Sequence, residues 1–287
     1  MTEGEPLPLT WAIEASQSGP LLRAELAVEA RCLSSSVLGG GLGTVRTWVN
    51  LQVPSGYRRT DPDVHLTEVS AGCAPPVVGM MTAAFVDRVQ DVTWGSVRVL
   101  ATVGLGHPIA AASLPGHEAA AAGPLPNQET AAGPRANREA GVVQLPGPAA
   151  VAAPLADQQA AAATQAGTVS AGTINIFATV AIPLSGAGLA GAFITATEAK
   201  AQALAAAGLP AANAPGPATG TVSDALAVAC PMVVAAGSAF CGPATPHGAD
   251  LARAVFEAVL RGCAAAGWGR SPELPERLGP RRSPVVR

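Results

Sequence analysis

The chain has 287 residues, a formal net charge of −3 and 49% hydrophobic residues, among which alanines are many and aromatic residues few (3%). The small negative charge argues against a nucleic-acid partner, which would require a clustered basic face, and it gives no reason to expect an anionic membrane surface. No signal peptide is visible at the N-terminus. No uninterrupted apolar run of about 18 residues predicts a membrane-spanning helix.

The cysteines and histidines show no spacing that is typical of a disulfide framework or a metal site. Five cysteines form no Cys-x-x-Cys pair, which favours small buried side chains in a protein of the reducing cytoplasm. No two of the four histidines have His-x-x-x-His or His-Glu-x-x-His spacing, so we predict no metal site. We expect His65 to be an exposed histidine on a helix.

The first half of the chain mainly predicts strands. We interpret residues 1–20 as a flexible lead with one short strand near 9–13. Residues 21–33 alternate apolar and polar side chains, which is the period of a strand. Asp61 and Pro62 indicate an N-cap and a first helical residue. The other predicted elements are strands at 44–53 and 77–84, a hairpin of strands at 86–93 and 97–103, and a helix at 61–71.

Residues 109–169 interrupt this pattern, because alanine, proline and glycine dominate there without a helical or strand period. Such a segment buries too little apolar surface to offset its ordering entropy, so we interpret it as a disordered insert without chemistry. The elements predicted beyond it are a strand at 173–182, a helix at 187–206, a buried strand at 225–229 that residues 237–241 could pair with, and a helix at 250–262.

These elements predict an α/β or α+β fold with a mixed sheet and with helices mainly in the second half. One domain then comprises residues 21–108 and 170–264. Residues 265–287, rich in proline and arginine, are interpreted as a flexible tail.

Lys200 is the only lysine of the chain, whereas arginine supplies the other cations. An amine at this position suggests chemistry or geometry that a guanidinium group cannot meet. Glu198 lies two residues earlier, and Asp224 follows a Thr-Gly-Thr turn. The alternative is a solvated helix face, on which Glu198 and Lys200 would not face each other.

Hydroxyl side chains collect at the predicted ends of strands and helices, which suggests a pocket rich in hydroxyls. The serine run 34–36 could include a nucleophile, although a hydrogen-bonded strand end is the favoured interpretation because no Gly-x-Ser-x-Gly elbow is present. The glycine-rich run 39–43 could bind an anion through backbone amides or form a tight strand-to-strand turn.

Four sequence blocks, in this order, resemble the adenosylcobinamide amidohydrolase (CbiZ) family. The blocks are Leu33-Ser-Ser-Ser-Val-Leu-Gly-Gly-Gly-Leu42 with Asn50 downstream, Gly79-Met-Met-Thr-Ala-Ala84, Gly172-Thr-Ile-Asn-Ile176, and Thr195-Ala-Thr-Glu-Ala-Lys200 followed by Ala218-Thr-Gly-Thr221 and Asp224. Members hydrolyse the amide that joins aminopropanol to the corrin ring side chain of adenosylcobinamide. The resemblance therefore implies cobinamide salvage, a small-molecule corrinoid partner and no cofactor of the enzyme's own, because the cobalt corrinoid is the substrate.

Amide hydrolysis requires an activated water or hydroxyl, a stabilised oxyanion and a protonated leaving amine. Within the resemblance, Glu198 or Asp224 could be the base, and Lys200 and Asn175 could stabilise the oxyanion together with backbone amides at 219–221. The residues that we assign to substrate binding are Ser34, Ser35, Ser36, Gly40, Asn50, Thr82, Thr102, Thr173, Thr197, Thr219, Gly220 and Thr221. Two alternatives stay open, a non-catalytic corrinoid-binding protein and an amidase for another bulky amide.

Overall fold

The computed structural model of the protein describes residues 5–112, 172–232 and 237–268. Apart from residues 109–112, the predicted insert lies outside these ranges, and so does most of the predicted tail. The helices are α1 (Pro62–Val69), α2 (Gly186–Ala206) and α3 (Pro246–Ala265). The strands are β1 (Leu9–Ser16), β2 (Gly19–Ser34), β3 (Gly41–Gln52), β4 (Val77–Thr82), β5 (Gln90–Trp94), β6 (Val97–Gly104), β7 (Pro108–Ile109), β8 (Thr173–Val180), β9 (Gly220–Thr221) and β10 (Ala225–Pro231).

Eight of these strands form one sheet in the order β4-β3-β2-β10-β8-β6-β5, with β1 alongside β2. The pairs β3–β4 and β8–β10 are parallel and the others are antiparallel. Each parallel pair is joined through a helix, α1 in the first case and α2 in the second, as parallel neighbours require. The mixed sheet and the position of the longer helices confirm the predicted fold class.

Strand β2 is long enough to hold two different neighbours along one edge. Its first part pairs with β1, from Ser16↔Gly19 to Leu9↔Leu26, and its last part pairs with β10, from Pro231↔Ala30 to Ala227↔Ser34. The short strand predicted near 9–13 within the N-terminal lead is present as β1 and extends to Ser16. Pairing with β2 along all eight residues accounts for the greater length, and Leu9 is the residue of β1 that is buried.

The sheet curls, so that strands that are not neighbours in it face each other. Trp48 of β3 stacks on Phe177 of β8 with ring centroids 5.2 Å apart, although β2 and β10 separate these strands in the sheet. This contact belongs to a core inside the curl. The outer face of β8, with Ile174 and Ile176, packs against α2 and α3 in a second core.

Both long helices begin at a hydroxyl N-cap. The Ser185 hydroxyl accepts a hydrogen bond from Gly188 N (3.1 Å) at the start of α2, and the Thr245 hydroxyl accepts one from Gly248 N (3.1 Å) at the start of α3. Helix α3 therefore begins before the predicted position 250, because Thr245 and Pro246 supply the cap and the first turn.

Three other local predictions differ from the structure. The strand predicted from residue 86 begins with a single 3₁₀ turn, Val86–Arg88, before β5. Residues 237–241 do not pair with β10, since Ser238 forms an isolated bridge to Leu184 instead. His65 is buried and not exposed, because its imidazole lies between the Tyr57 hydroxyl (2.9 Å) and the Ser18 hydroxyl (2.7 Å).

Candidate active site

A cleft opens where the parallel strands β8 and β10 begin, between the sheet and α2. Its cavity of about 200 Å³ has apolar walls, contributed by residues such as Ile174, Phe193 and Leu226. The polar side chains that line it come from three separate parts of the sequence. They are Ser35 after β2, Thr197 and Lys200 on α2, and Asp224 before β10.

Lys200 and Asp224 form an ion pair inside this cleft. The ammonium group donates a hydrogen bond to Asp224 Oδ2, and each side chain is only 13% exposed. The carboxylate also accepts hydrogen bonds from Thr221 N (3.1 Å), Ile174 N (2.9 Å) and the Thr221 hydroxyl. Asp224 is therefore held by backbone groups as well as by the lysine, and it fixes the position of the Lys200 ammonium group.

Because Gly220 has no side chain, there is room beside it for this ion pair. A Cβ atom at Gly220 would lie 2.6 Å from Asp224 Oδ2 and 2.9 Å from Lys200 Nζ, closer than real Cβ atoms approach such groups. Residues 220–221 form β9 and pair with β7. The hydroxyl of the neighbouring Thr219 accepts a hydrogen bond from Ala111 N (2.8 Å). This hydroxyl therefore stabilises the loop.

The three predicted serines have different environments. Ser34 and Ser36 are buried, and their hydroxyls are hydrogen-bonded to each other. Ser35 is exposed to the cleft, and its Oγ accepts a hydrogen bond from Leu226 N (3.1 Å). Gly40 packs behind them, since a Cβ atom there would lie 2.4 Å from Ser36 O. Only the middle serine of the run therefore lines the cleft.

The structure brings Asn175 together with Asn50 and Thr102, but inside the curled sheet. Asn175 Nδ2 donates to Asn50 Oδ1 (2.9 Å) and to Met81 O (2.8 Å), and Asn50 Nδ2 donates to the Thr102 hydroxyl (2.9 Å). Asn175 is fully buried. Its neighbours on β8, Ile174 and Ile176, are the residues that line the cleft. Because successive side chains of a strand point to opposite faces, the structure places Asn175 on the face of β8 opposite to the cleft, away from Lys200 and Asp224.

Other predicted site residues also lie away from the cleft. Glu198 is exposed on α2 and is not part of the cleft lining, so the proposed base role loses its geometric support. Thr82 accepts a hydrogen bond from Ala84 N (3.0 Å), and the Thr173 hydroxyl is hydrogen-bonded to that of Ser223 (2.8 Å). Thr197 lines the cleft, but its hydroxyl donates to Phe193 O (2.9 Å).

Within residues 5–112, 172–232 and 237–268, no three His, Cys, Asp or Glu side chains lie close enough to hold a metal ion. The helices in these ranges include none that is long and apolar enough to cross a membrane. The five cysteines are free, and four of them are buried.

A family model described as adenosylcobinamide amidohydrolase (CbiZ) matches residues 10–270. The chain belongs to this family. The match covers most of the chain and includes every strand of the large sheet except the first residue of β1, as well as all residues of the cleft. The adenosylcobinamide amidohydrolase family is a family of hydrolases, so the cleft lies in a chain that belongs to an enzyme family. Comparison with curated proteins and with solved structures gave no match.

Proposed function

We propose that the protein hydrolyses the amide bond between aminopropanol and the corrinoid in adenosylcobinamide. The products are adenosylcobyric acid and aminopropanol, and the reaction serves cobinamide salvage for cobalamin biosynthesis. The cobalt corrinoid is the substrate, and the proposal includes no other cofactor. The observation that supports it most is the half-enclosed Lys200–Asp224 pair in the cleft of a chain that belongs to an amidohydrolase family.

The size of the cleft fits the reacting part of this substrate. Its cavity of about 200 Å³ is smaller than the roughly 300–1,000 Å³ that encloses a drug-sized ligand. A slender amide arm with its aminopropanol end can enter such a space. The apolar walls suit the methylene groups of the arm, and the polar groups then contact the amide.

Lys200 is the residue that we assign to the carbonyl oxygen of the amide. A lysine ammonium group has three N–H donors, and among the described residues Asp224 is its only hydrogen-bond partner. Two donors are therefore left for the substrate. A positive group that is already fixed in a partly buried cleft stabilises the negative charge that develops on the oxygen during attack.

Asp224 is the positioning residue of this site. Four hydrogen bonds converge on its carboxylate, so its oxygens are occupied by donors in this structure. We therefore assign it to holding Lys200 and not to accepting the proton of the attacking water. Ser35, the exposed hydroxyl of the cleft, is assigned to hydrogen bonding with the substrate.

The proposal is tested by incubating the purified protein with adenosylcobinamide and measuring released aminopropanol and adenosylcobyric acid. We expect one equivalent of each product, with formation abolished or strongly reduced by Lys200→Ala. Binding of the corrinoid without release of aminopropanol would instead support a non-catalytic corrinoid-binding protein. Hydrolysis of other bulky amides but not of adenosylcobinamide would support an amidase of different specificity.

A further inference from the structure

Among the residues that the structure describes, the cleft continues into an exposed apolar surface. Arg31, Leu33 and Ser35 alternate along the end of β2 and therefore share one face of the sheet. Leu33 packs against the outer core that also contains the cleft walls, and Ser35 lines the cleft itself. Leu42 of β3 is the register partner of Leu33, so it lies on this same face, one strand farther from the cleft.

Helix α2 borders this surface and does not cover it. Gly186, Phe193 and Lys200 are spaced by seven residues and thus follow one side of the helix, roughly 20 Å long at about 1.5 Å per residue. Lys200 and Phe193 line the cleft. At the other end, the Cβ position of Gly186 lies 3.9 Å from Leu42 Cδ2, yet Leu42 remains 57% exposed.

We call Leu33, Leu42 and Phe193, together with the Gly186 end of α2, the apolar shelf. At its far end, Arg31 donates one hydrogen bond to Leu184 O (3.4 Å), which is the only hydrogen bond of its guanidinium group within the described ranges. Because arginine has five N–H donors, the remaining donors are available to acceptors of a molecule on the shelf.

The volume of the cleft shows why a second surface is needed. A cavity of about 200 Å³ holds less than a drug-sized ligand requires, and a corrin macrocycle with its axial groups is larger than such a ligand. The ring must therefore remain outside the cavity when its amide arm is inside. The surface that is continuous with the cleft mouth is the place where the ring comes to rest.

We propose that the apolar shelf binds the corrin macrocycle while the amide arm enters the cleft toward Lys200. The proposal rests on the proposed function for the identity of the ring. The apolar edge of the macrocycle packs on Leu33, Leu42 and Phe193, and a peripheral amide oxygen of the ring accepts a hydrogen bond from Arg31. The shelf then selects corrinoids, whereas the cleft selects the bond that is broken.

The test measures corrinoid binding separately from hydrolysis. Adenosylcobyric acid has the ring but lacks the aminopropanol end, and its visible absorption allows equilibrium dialysis against wild-type protein and Leu42→Asp. We expect Leu42→Asp to raise Kd by about tenfold, because an exposed leucine that becomes buried under the ring is replaced by a charged group. Leu42→Ala should raise Kd less, in the same direction.

Val64→Asp is the matched control, because Val64 is 47% exposed on α1, which packs on a different cluster of the sheet. Its Kd should equal that of wild type. If Leu42→Asp binds as tightly as wild type, or if wild type does not bind the ring, the shelf proposal is overturned even where adenosylcobinamide is hydrolysed. If binding depends on Leu42 but no aminopropanol is released, the proposed function fails and the shelf stands.

Discussion

The Lys200 ammonium group and the Asp224 carboxylate join the C-terminal half of α2 to the start of β10 across 24 residues of sequence. Asp224 would remain held by Thr221 and Ile174 if the lysine were removed. Substitution of Lys200 should therefore remove the ion pair while the loop around Asp224 keeps its conformation.

We expect Lys200→Ala and Lys200→Arg each to reduce kcat by at least about tenfold with little change in Tm. The alanine variant removes the donor that we propose for the oxyanion, and the arginine variant places a larger, planar group in a cavity that holds an amine. Turnover with adenosylcobinamide is the measurement. Arg253→Ala is the control, because Arg253 forms an exposed ion pair with Asp250 and pairs of this kind contribute little. Turnover of Lys200→Ala close to that of wild type would remove Lys200 from the reaction.

Gly220→Ala should reduce kcat by about tenfold or more, because the new methyl group would overlap the Lys200–Asp224 pair. The loop stays anchored by the pairing of β9 with β7, so circular dichroism should show a folded protein. Gly72→Ala is the matched control, since a Cβ atom at Gly72 meets nothing within 4 Å. Unchanged turnover in Gly220→Ala would show that the position of the pair does not matter for the reaction.

The sequence predicted the partners of this site better than their orientation. The unique lysine and the aspartate after a Thr-Gly-Thr turn are both candidate site residues in the sequence, and the structure places them together in the cleft. Asn175 alternates with Ile174 and Ile176 along β8, but both faces of this strand are buried, so the alternation alone does not show which face meets the cleft. Glu198 is predicted near the cleft from its position beside Lys200, and the alternative of a solvated helix face stays open in the sequence because the alanine-rich α2 has apolar residues on every side. The curl of the sheet depends on pairings between distant strands, which local patterns do not reveal.

Asn175→Ala should lower stability and leave the chemistry of the cleft unchanged. The substitution leaves Asn50 Oδ1 and Met81 O without their donor in a buried place, and each unsatisfied group costs about 1–3 kcal/mol. We expect a loss of about 2–4 kcal/mol in the free energy of unfolding in urea, with kcat of the folded fraction within about twofold of wild type. A large fall in kcat without loss of stability would instead return Asn175 to the catalytic machinery. Gln90→Ala, which removes an exposed amide, is the control for stability.

The ionisation of the Asp91 carboxyl group makes the free energy of unfolding depend on pH. Burial raises the pKa of Asp91, but hydrogen bonds from Arg98 and Trp11 outweigh it, and the net pKa is lowered from its ordinary value of 3.8. A carboxyl group with a lowered pKa in the folded state stabilises the protein above its unfolded pKa, and this contribution is lost as the pH falls below about 4.

At pH 7, Asp91→Asn should therefore be less stable than wild type by about 1 kcal/mol, and the difference should shrink as the pH is lowered toward 3. Urea unfolding at several pH values measures this difference. A difference that stays constant from pH 7 to pH 3 would mean that the charge of Asp91 does not contribute. Asp87→Asn is the control, because Asp87 is an exposed carboxylate in the 3₁₀ turn.

The cysteines should differ in their reaction with a disulfide reagent. Burial raises the pKa of the Cys32 thiol to about 12 and those of Cys241 and Cys263 to about 11, so little thiolate is present at pH 8. Burial also raises the pKa of Cys73, but this residue alone of the five is partly exposed. We expect one fast-reacting thiol in the native protein, lost in Cys73→Ser, and all five in urea. A fast reaction that persists in Cys73→Ser would contradict the buried positions of the others.

Strand β10 is the last strand of the described chain, yet it lies in the middle of the sheet, between β2 and β8. A nascent chain that has not yet released Ala225–Pro231 from the ribosome therefore carries two separate groups of strands. One group presents part of the edge of β2 and the other presents the edge of β8, and unpaired edges of this kind are open to pairing with other chains. Arrival of β10 closes both edges at once and, in the same step, brings Asp224 to Lys200.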